Sequence, residues 1–370
     1  MKILYIAPDI TDSGGISRVV SLKTNYLVSH LNYEVQILSV NNSYPNCFYD
    51  FDSAIKWHVI RESSKNPLFL RSYIRLIKKT ISTEKPDIIV VCDAVLWLFI
   101  PWFIKTEIPL IFETHFSVFY QKEKNETLYN KFRTKLVRFL KQKTIIKFNC
   151  FVTTTEEGDK ERGVNNTQVI PNPLSFSSKN KAVLVNKKAM AVCMNPYVKG
   201  LDRLLLIWSR FVKKHPDWVI DIYGQLDVKS EYQKMADDLK ISDNVNFLPP
   251  TSDIQNSYND ASVFLMTSRT EAFGMVLIEA MVSGVPCIAY NCPSGPRAII
   301  EEGANGFLIK DENVDSFVQK LELLIEDENL RIQMGSNAQE SVRKYEIDSI
   351  MKRWDELFKS FKKSSDKFKQ

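Results

Sequence analysis

Two carboxylates, Glu271 and Glu279, stand eight residues apart in SRTEAFGMVLIEAMVSGVP, and the residues around them set the chemistry such a pair can do. Val263 to Thr267 ahead of them is a short apolar, partly β-branched run of the kind that forms a buried strand. From Ala272 to Val282 apolar residues run nearly all round the helical wheel, with Glu279 as the only charge, which predicts a helix buried on most sides and ended by Gly284. Val285 to Tyr290 is a second apolar run, so the stretch reads as a strand, helix, strand crossover in a parallel sheet. Turns at the carboxyl ends of such strands are where open α/β sheets hold ligands. A helix starting near Ala272 aims its first N–H groups, those of Ala272, Phe273, Gly274, Met275 and Val276, at that turn, where they suit an anion such as a phosphate. A buried Glu279 needs a partner, because an unpaired carboxylate in the interior is costly. Sugar or ribose hydroxyls donating to Glu271 and Glu279, beside N–H groups that hold a phosphate, satisfy every group at once.

Other candidates lie upstream. Gly14 and Gly15 sit where the first strand hands over to a helix, so the backbone there can approach a ligand closely, and Arg18 follows one turn later. The pattern is not the G-x-G-x-x-G dinucleotide fingerprint, and a Gly-Gly pair also serves as a plain tight turn. His115 follows the strand-like PLIFE, at the carboxyl end of a predicted parallel strand. Lys199 and Gly200 follow another strand and precede a helix, a placement that suits a phosphate. Tyr223, Gly224 and Gln225 end a further strand, and the SerGlyProArg turn within 293 to 300 precedes a short helix. Asp50 and Asp52 form a D-x-D pair, but in a loop of the first half, away from the other candidates.

The elements that must position these residues alternate. In the first half, strands are predicted at Lys2 to Ala7, Glu34 to Val40, Trp57 to Ile60, Ile88 to Cys92, Leu110 to Glu113 and Cys150 to Thr154, with helices near 16 to 31, 68 to 83 and 127 to 147. QVIPNPL, at 168 to 174, reads as a short strand running into an interdomain linker. A second alternation then places strands at Ala189 to Met194, Trp218 to Tyr223, Asn244 to Leu248, Val263 to Thr267 and Val285 to Tyr290. The expected fold class is α/β, with two doubly wound parallel sheets. Domains are expected at 1–172 and 173–346, and a last helix from about 347, with Ile350, Trp354, Leu357 and Phe361 on one face, is expected to pack back on the first.

With 370 residues, 44% hydrophobic and 25% charged, the chain can bury two cores. A net charge of +5 is too mild to argue for nucleic acid. No C-x-x-C pair occurs among the six cysteines, which read as reduced core thiols of a cytoplasmic protein, and no signal peptide or spanning segment is visible. The segment 120–147 is the most basic, and its Phe132, Leu136, Phe139 and Leu140 fall at helical spacing. It reads either as a solvated face over a packed one or as a face for anionic membrane, with Trp97, Phe99, Trp102 and Phe103 as added apolar anchors.

EAFGMVLIEAM followed by SGVP resembles the E-x7-E signature of the retaining glycosyltransferases of the GT-B fold, in particular the large family numbered four. That resemblance implies two Rossmann-like domains with an interdomain cleft and a C-terminal crossover helix. It implies a nucleotide-sugar donor, with UDP-sugar as the expectation although no loop residue separates uracil from guanine. The acceptor it implies is a saccharide or polyprenyl-linked saccharide in cell-surface polysaccharide assembly, at the inner face of the cytoplasmic membrane. By the same resemblance Glu271 meets the sugar, Glu279 the ribose, Lys199 and the Gly14–Gly15 loop the diphosphate, Gly224 lies by the base, and His115 lies beside the reacting carbon. No metal or other cofactor is expected. The family's usual arginine before Lys199 is replaced by Met194, leaving Arg18, Arg203, Arg269 or Arg297 to supply the second charge. Two rival readings are a nucleotide-sugar epimerase of similar fold and a non-catalytic nucleotide-sugar-binding subunit.

Overall fold

The computed structural model describes residues 1–40, 46–60, 69–93, 100–104, 106–115, 143–157, 166–177, 181–224 and 231–367. They form two compact units, Met1–Pro173 with Asp348–Gln370, and Leu174–Ile347.

In the first unit the apolar runs become strands β1 (Lys2–Ala7), β2 (Glu34–Val40), β3 (Lys56–Ile60), β4 (Ile88–Cys92), β5 (Leu110–Glu113), β6 (Cys150–Thr153) and β7 (Thr167–Val169). All pair in parallel, in the order β3-β2-β1-β4-β5-β6-β7. Central strands covered on both faces must be apolar throughout, and Ile88–Cys92 is buried at every position. The helices Gly15–Ser29 and Phe69–Glu84 return the chain between strands. The C-terminal helix, Ile347–Lys367, packs on this unit through Ile350, Met351, Trp354, Leu357 and Phe358, all nearly inaccessible. Tyr26 and Tyr33 donate their hydroxyls to Asp348 and Asp355 of that helix, and Arg353 reaches the Val169 carbonyl. Phe361 is only half-buried, so the buried stripe ends one turn earlier than its spacing predicts.

The second unit has strands β8 (Lys188–Val192), β9 (Val219–Tyr223), β10 (Val245–Leu248), β11 (Val263–Met266), β12 (Cys287–Tyr290) and β13 (Gly306–Ile309). Their order, β10-β9-β8-β11-β12-β13, is again wholly parallel. Strand β13 escapes sequence reading because GFLI is too short to show a period. It is an edge strand that depends on Gly306: a Cβ there would stand 2.8 Å from the Cys287 carbonyl oxygen. Each sheet reverses its winding between two strands, β1 and β4 in the first and β8 and β11 in the second. At such a point neighbouring connections leave in opposite directions and open a crevice at the carboxyl ends.

No disulfide joins the cysteines, and five of the six are buried. Among the described residues no helix is long and apolar enough to cross a membrane. Most of the basic segment, 120–142, lies outside the described residues, as do Trp97, Phe99 and Gln225.

Candidate active site

The reversal between β8 and β11 gathers the second unit's candidates. After β8 the chain makes a single helical turn, Pro196–Lys199, whose start is capped by the Asn195 side chain accepting from the Val198 N–H. It ends at Gly200, in the left-handed region at φ 66°. A Cβ on Gly200 would lie 2.2 Å from the Thr267 carbonyl oxygen, so only glycine lets the connections after β8 and β11 touch. Thr267 Oγ1 donates to the Gly200 carbonyl, and Arg269 donates to both carboxylate oxygens of Asp202 while lying 4.4 Å over the Tyr197 ring. These stitches bring Lys199 to Glu271, Nζ to Oε1 at 2.6 Å. Ser268 Oγ donates to the same oxygen at 2.7 Å. Burial opposes the charge on Lys199, but the Glu271 carboxylate outweighs it by charge and hydrogen bond and raises the ammonium above its ordinary value.

The turn at 293 to 297 closes against Glu271. Ser294 pairs with Glu271 in a short parallel bridge, and a Cβ on Gly295 would meet the Phe273 carbonyl oxygen at 2.3 Å and Glu271 Cβ at 2.8 Å. Ser294 holds φ 72°, a conformation costly for a residue with a side chain and enforced here by the packing around it.

The helix carrying Glu279 starts at Met275 and not near Ala272. Gly274, at φ 98°, is left-handed and cannot continue a right-handed helix backward, so Ala272 and Phe273 lie in the turn. The first intrahelical bond there is from the Leu277 N–H to the Gly274 carbonyl, which leaves the N–H groups of Met275 and Val276 at the helix start. Glu279 is 3% exposed and takes hydrogen bonds from Ser175 and Tyr258 hydroxyls. Protein groups, unseen in the sequence, thus supply the partners that its burial demands.

Two of the four arginines proposed for the second charge are committed elsewhere: Arg203 to Asp311 and Glu312, and Arg269 to Asp202. Arg297 donates to Asn291, and Arg18, in the other unit, lies 5.4 Å over the Tyr49 ring. Gly224 is required by packing, since a Cβ would stand 2.2 Å from the Cys193 carbonyl oxygen.

In the first unit Gly14 caps the Gly15–Ser29 helix, and a Cβ added to Gly15 would meet nothing within 4 Å. His115 follows β5, with its backbone N–H held by the Asp93 carboxylate beyond β4. Its Nε2 lies 3.1 Å from Glu113 Oε1. Glu113 is buried and takes both its oxygens to Lys23 Nζ at 2.5 Å, a partner ninety residues away that no motif reveals. Burial works to raise the Glu113 carboxyl, but Lys23 and His115 prevail and hold it at about 2. Donor atoms of Cys92, Glu113 and His115 lie within 4.8 Å of one another, yet the Lys23 ammonium already neutralises the carboxylate in that group.

Sequence models of two families match the chain: "Glycosyltransferase Family 4" over 13–175 and "Glycosyl transferases group 1" over 178–341. The chain belongs to this family of glycosyltransferases, is an enzyme, and has the GT-B fold. It is similar to an uncharacterized glycosyltransferase of Haemophilus influenzae, at 29% identity over 95% of this chain and 98% of the relative. It is also similar to the amylovoran biosynthesis glycosyltransferase AmsD of Erwinia amylovora, at 27% identity over 96% and 99%. A solved structure of S. aureus TarM, in complex with fondaparinux, α-GlcNAc-glycerol and UDP, shares the fold at a TM-score of 0.77 and 16% identity, covering 96% of this chain and 99% of that one.

Proposed function

We propose that the protein transfers a sugar, with retention of anomeric configuration, from a UDP-sugar to a saccharide or lipid-linked saccharide acceptor. The observation that carries this reading is the Lys199–Glu271 pair at the β8/β11 reversal, where a cation, a carboxylate and a helix start converge. Lys199 and the N–H groups of Met275 and Val276 meet the charge that grows on the departing diphosphate, the demand best served by fixed donors. Glu271 accepts from sugar hydroxyls, and Glu279 from ribose hydroxyls that join or displace Ser175. His115, on the first unit, acts on the groups around the anomeric carbon, and the Gly14–Gly15 backbone approaches the diphosphate. The reading uses no metal. UDP as the nucleotide is supported by its presence in the TarM complex.

A membrane-associated acceptor is supported by the first unit's surface. Trp102 and Phe103 are 49% and 40% exposed, Lys147 Nζ lies 4.3 Å over the Trp102 ring, and Lys78 lines the same depression. Aromatic rings beside ammonium groups suit an anionic bilayer, each basic residue contributing about 1 kcal/mol.

The test is incubation with a panel of nucleotide sugars and with saccharide and polyprenyl-diphosphate-saccharide acceptors, following free nucleotide and extended product, with the new linkage assigned by NMR. A product of inverted configuration removes retention. Tight nucleotide binding without turnover of any donor makes the protein a binding subunit, and turnover that needs no acceptor makes it an epimerase.

A further inference from the structure

A buried chain of contacts leads from the C-terminal helix to His115 inside the first unit. Lys23, on the Gly15–Ser29 helix, has a side chain only 1% exposed, and a lysine is buried so completely only when it is paired. Its ammonium stands 2.5 Å from each Glu113 oxygen and 3.6 Å from the centre of the Trp354 ring. Glu113 Oε1 is at the same time 3.1 Å from His115 Nε2, so the carboxylate oxygen that accepts from the ammonium lies beside the imidazole.

The other titratable groups around this carboxylate leave its charge to those two. Tyr5 on β1 and Cys92 at the end of β4 are fully buried, and burial drives both well above their ordinary values, so they stay neutral. Asp93 is engaged by the His115 backbone N–H. With Lys23 present, Glu113 is a fixed anion whose charge is already balanced and whose Oε1 can orient the ring. Without Lys23, the buried carboxylate would lose the donor that fixes it beside the imidazole.

We propose that Lys23 is a positioning residue for His115: it holds the Glu113 carboxylate in place and in charge balance, and through it sets the orientation of the imidazole. The inference rests on the proposed active-site role of His115, and no sequence motif assigns Lys23 to it.

The experiment compares H115A, K23M, E113Q and the double variant K23M/E113Q of the full chain, with kcat and KM measured across pH on the donor and acceptor that the wild type turns over. Expected is a loss of about tenfold or more in kcat for K23M, with KM changed little. E113Q is expected to lose kcat to a similar extent at little changed KM, because an amide no longer pairs with the ammonium beside the ring. The double variant removes both buried charges together, so it remains foldable where a single variant is not. It is expected to keep a low kcat, because the carboxylate that orients the imidazole is gone. If H115A turns over as the wild type does, the active-site reading of His115 fails and the inference with it. If H115A is inactive while the double variant keeps the wild-type kcat, or if K23M loses only thermal stability, the role of Lys23 is overturned and that of His115 stands.

Discussion

Lys199 donates a 2.6 Å hydrogen bond to Glu271, so the cation proposed for the diphosphate and the carboxylate proposed for the sugar are direct partners. With Ser268 on the same oxygen, Glu271 is held in one orientation by two donors. In the proposed reaction a donor phosphate would share or take over Lys199, and Glu271 would turn its accepting capacity to the sugar.

Removing either partner is therefore expected to cost more than its own contact. E271A should lower kcat/KM about 100-fold or more, and K199A should weaken UDP binding about tenfold or more, each leaving a partly buried charge unpaired. The double variant should fall short of the summed losses, measured by steady-state kinetics and by calorimetry with UDP.

Met194 stands where the resemblance implies an arginine. M194R is expected to tighten UDP binding about tenfold by adding a charge-assisted contact to the diphosphate. Calorimetry with UDP and with uridine separates the cases, since uridine should bind no better.

Gly15 and Gly295 should behave oppositely. An alanine at 295 meets the Phe273 backbone and Glu271 Cβ, so G295A is expected to lower both Tm and activity. An alanine at 15 has open space and a helical position, so G15A should keep or raise Tm, by about 0.5–1 kcal/mol of stability. Lost donor turnover in a stable G15A would report the close approach of the diphosphate, and unchanged turnover would remove Gly15 from the site.

Glu113 supplies an acid-side signature. Its carboxyl is held at about 2, below the roughly 4.3 of an unfolded glutamate, so the ionised form stabilises the fold at higher pH. That contribution is present above the unfolded value and is lost as pH falls through the folded one. Urea unfolding between about pH 4.3 and 2 should show a steeper loss of stability in the wild type than in E113Q.

The aromatic and basic surface around Trp102 should bind bilayers by charge. Sedimentation with phosphatidylglycerol vesicles is expected to exceed that with phosphatidylcholine, to weaken with salt, and to fall in W102A/K147E. Equal binding to both lipids would remove the electrostatic argument.

The sequence by itself determined the two parallel sheets and the existence of the helix that carries Glu279, because burial is written locally: β1, β2, β4 and β5 occupy the very residues their apolar runs mark. It also placed Lys199, Glu271, Glu279 and His115 after or near the right strands. The helix start was misjudged by three residues, since nothing local declares the left-handed turn at Gly274. Only the tertiary structure decided the partners: Lys199 with Glu271 across 72 residues, Ser175 with Glu279 across 104, and Lys23 with Glu113 across 90. Periodicity records which face of an element is buried. Which charges meet depends on strand order and on close backbone approaches such as Gly200 against Thr267, and these exist only when the chain is folded.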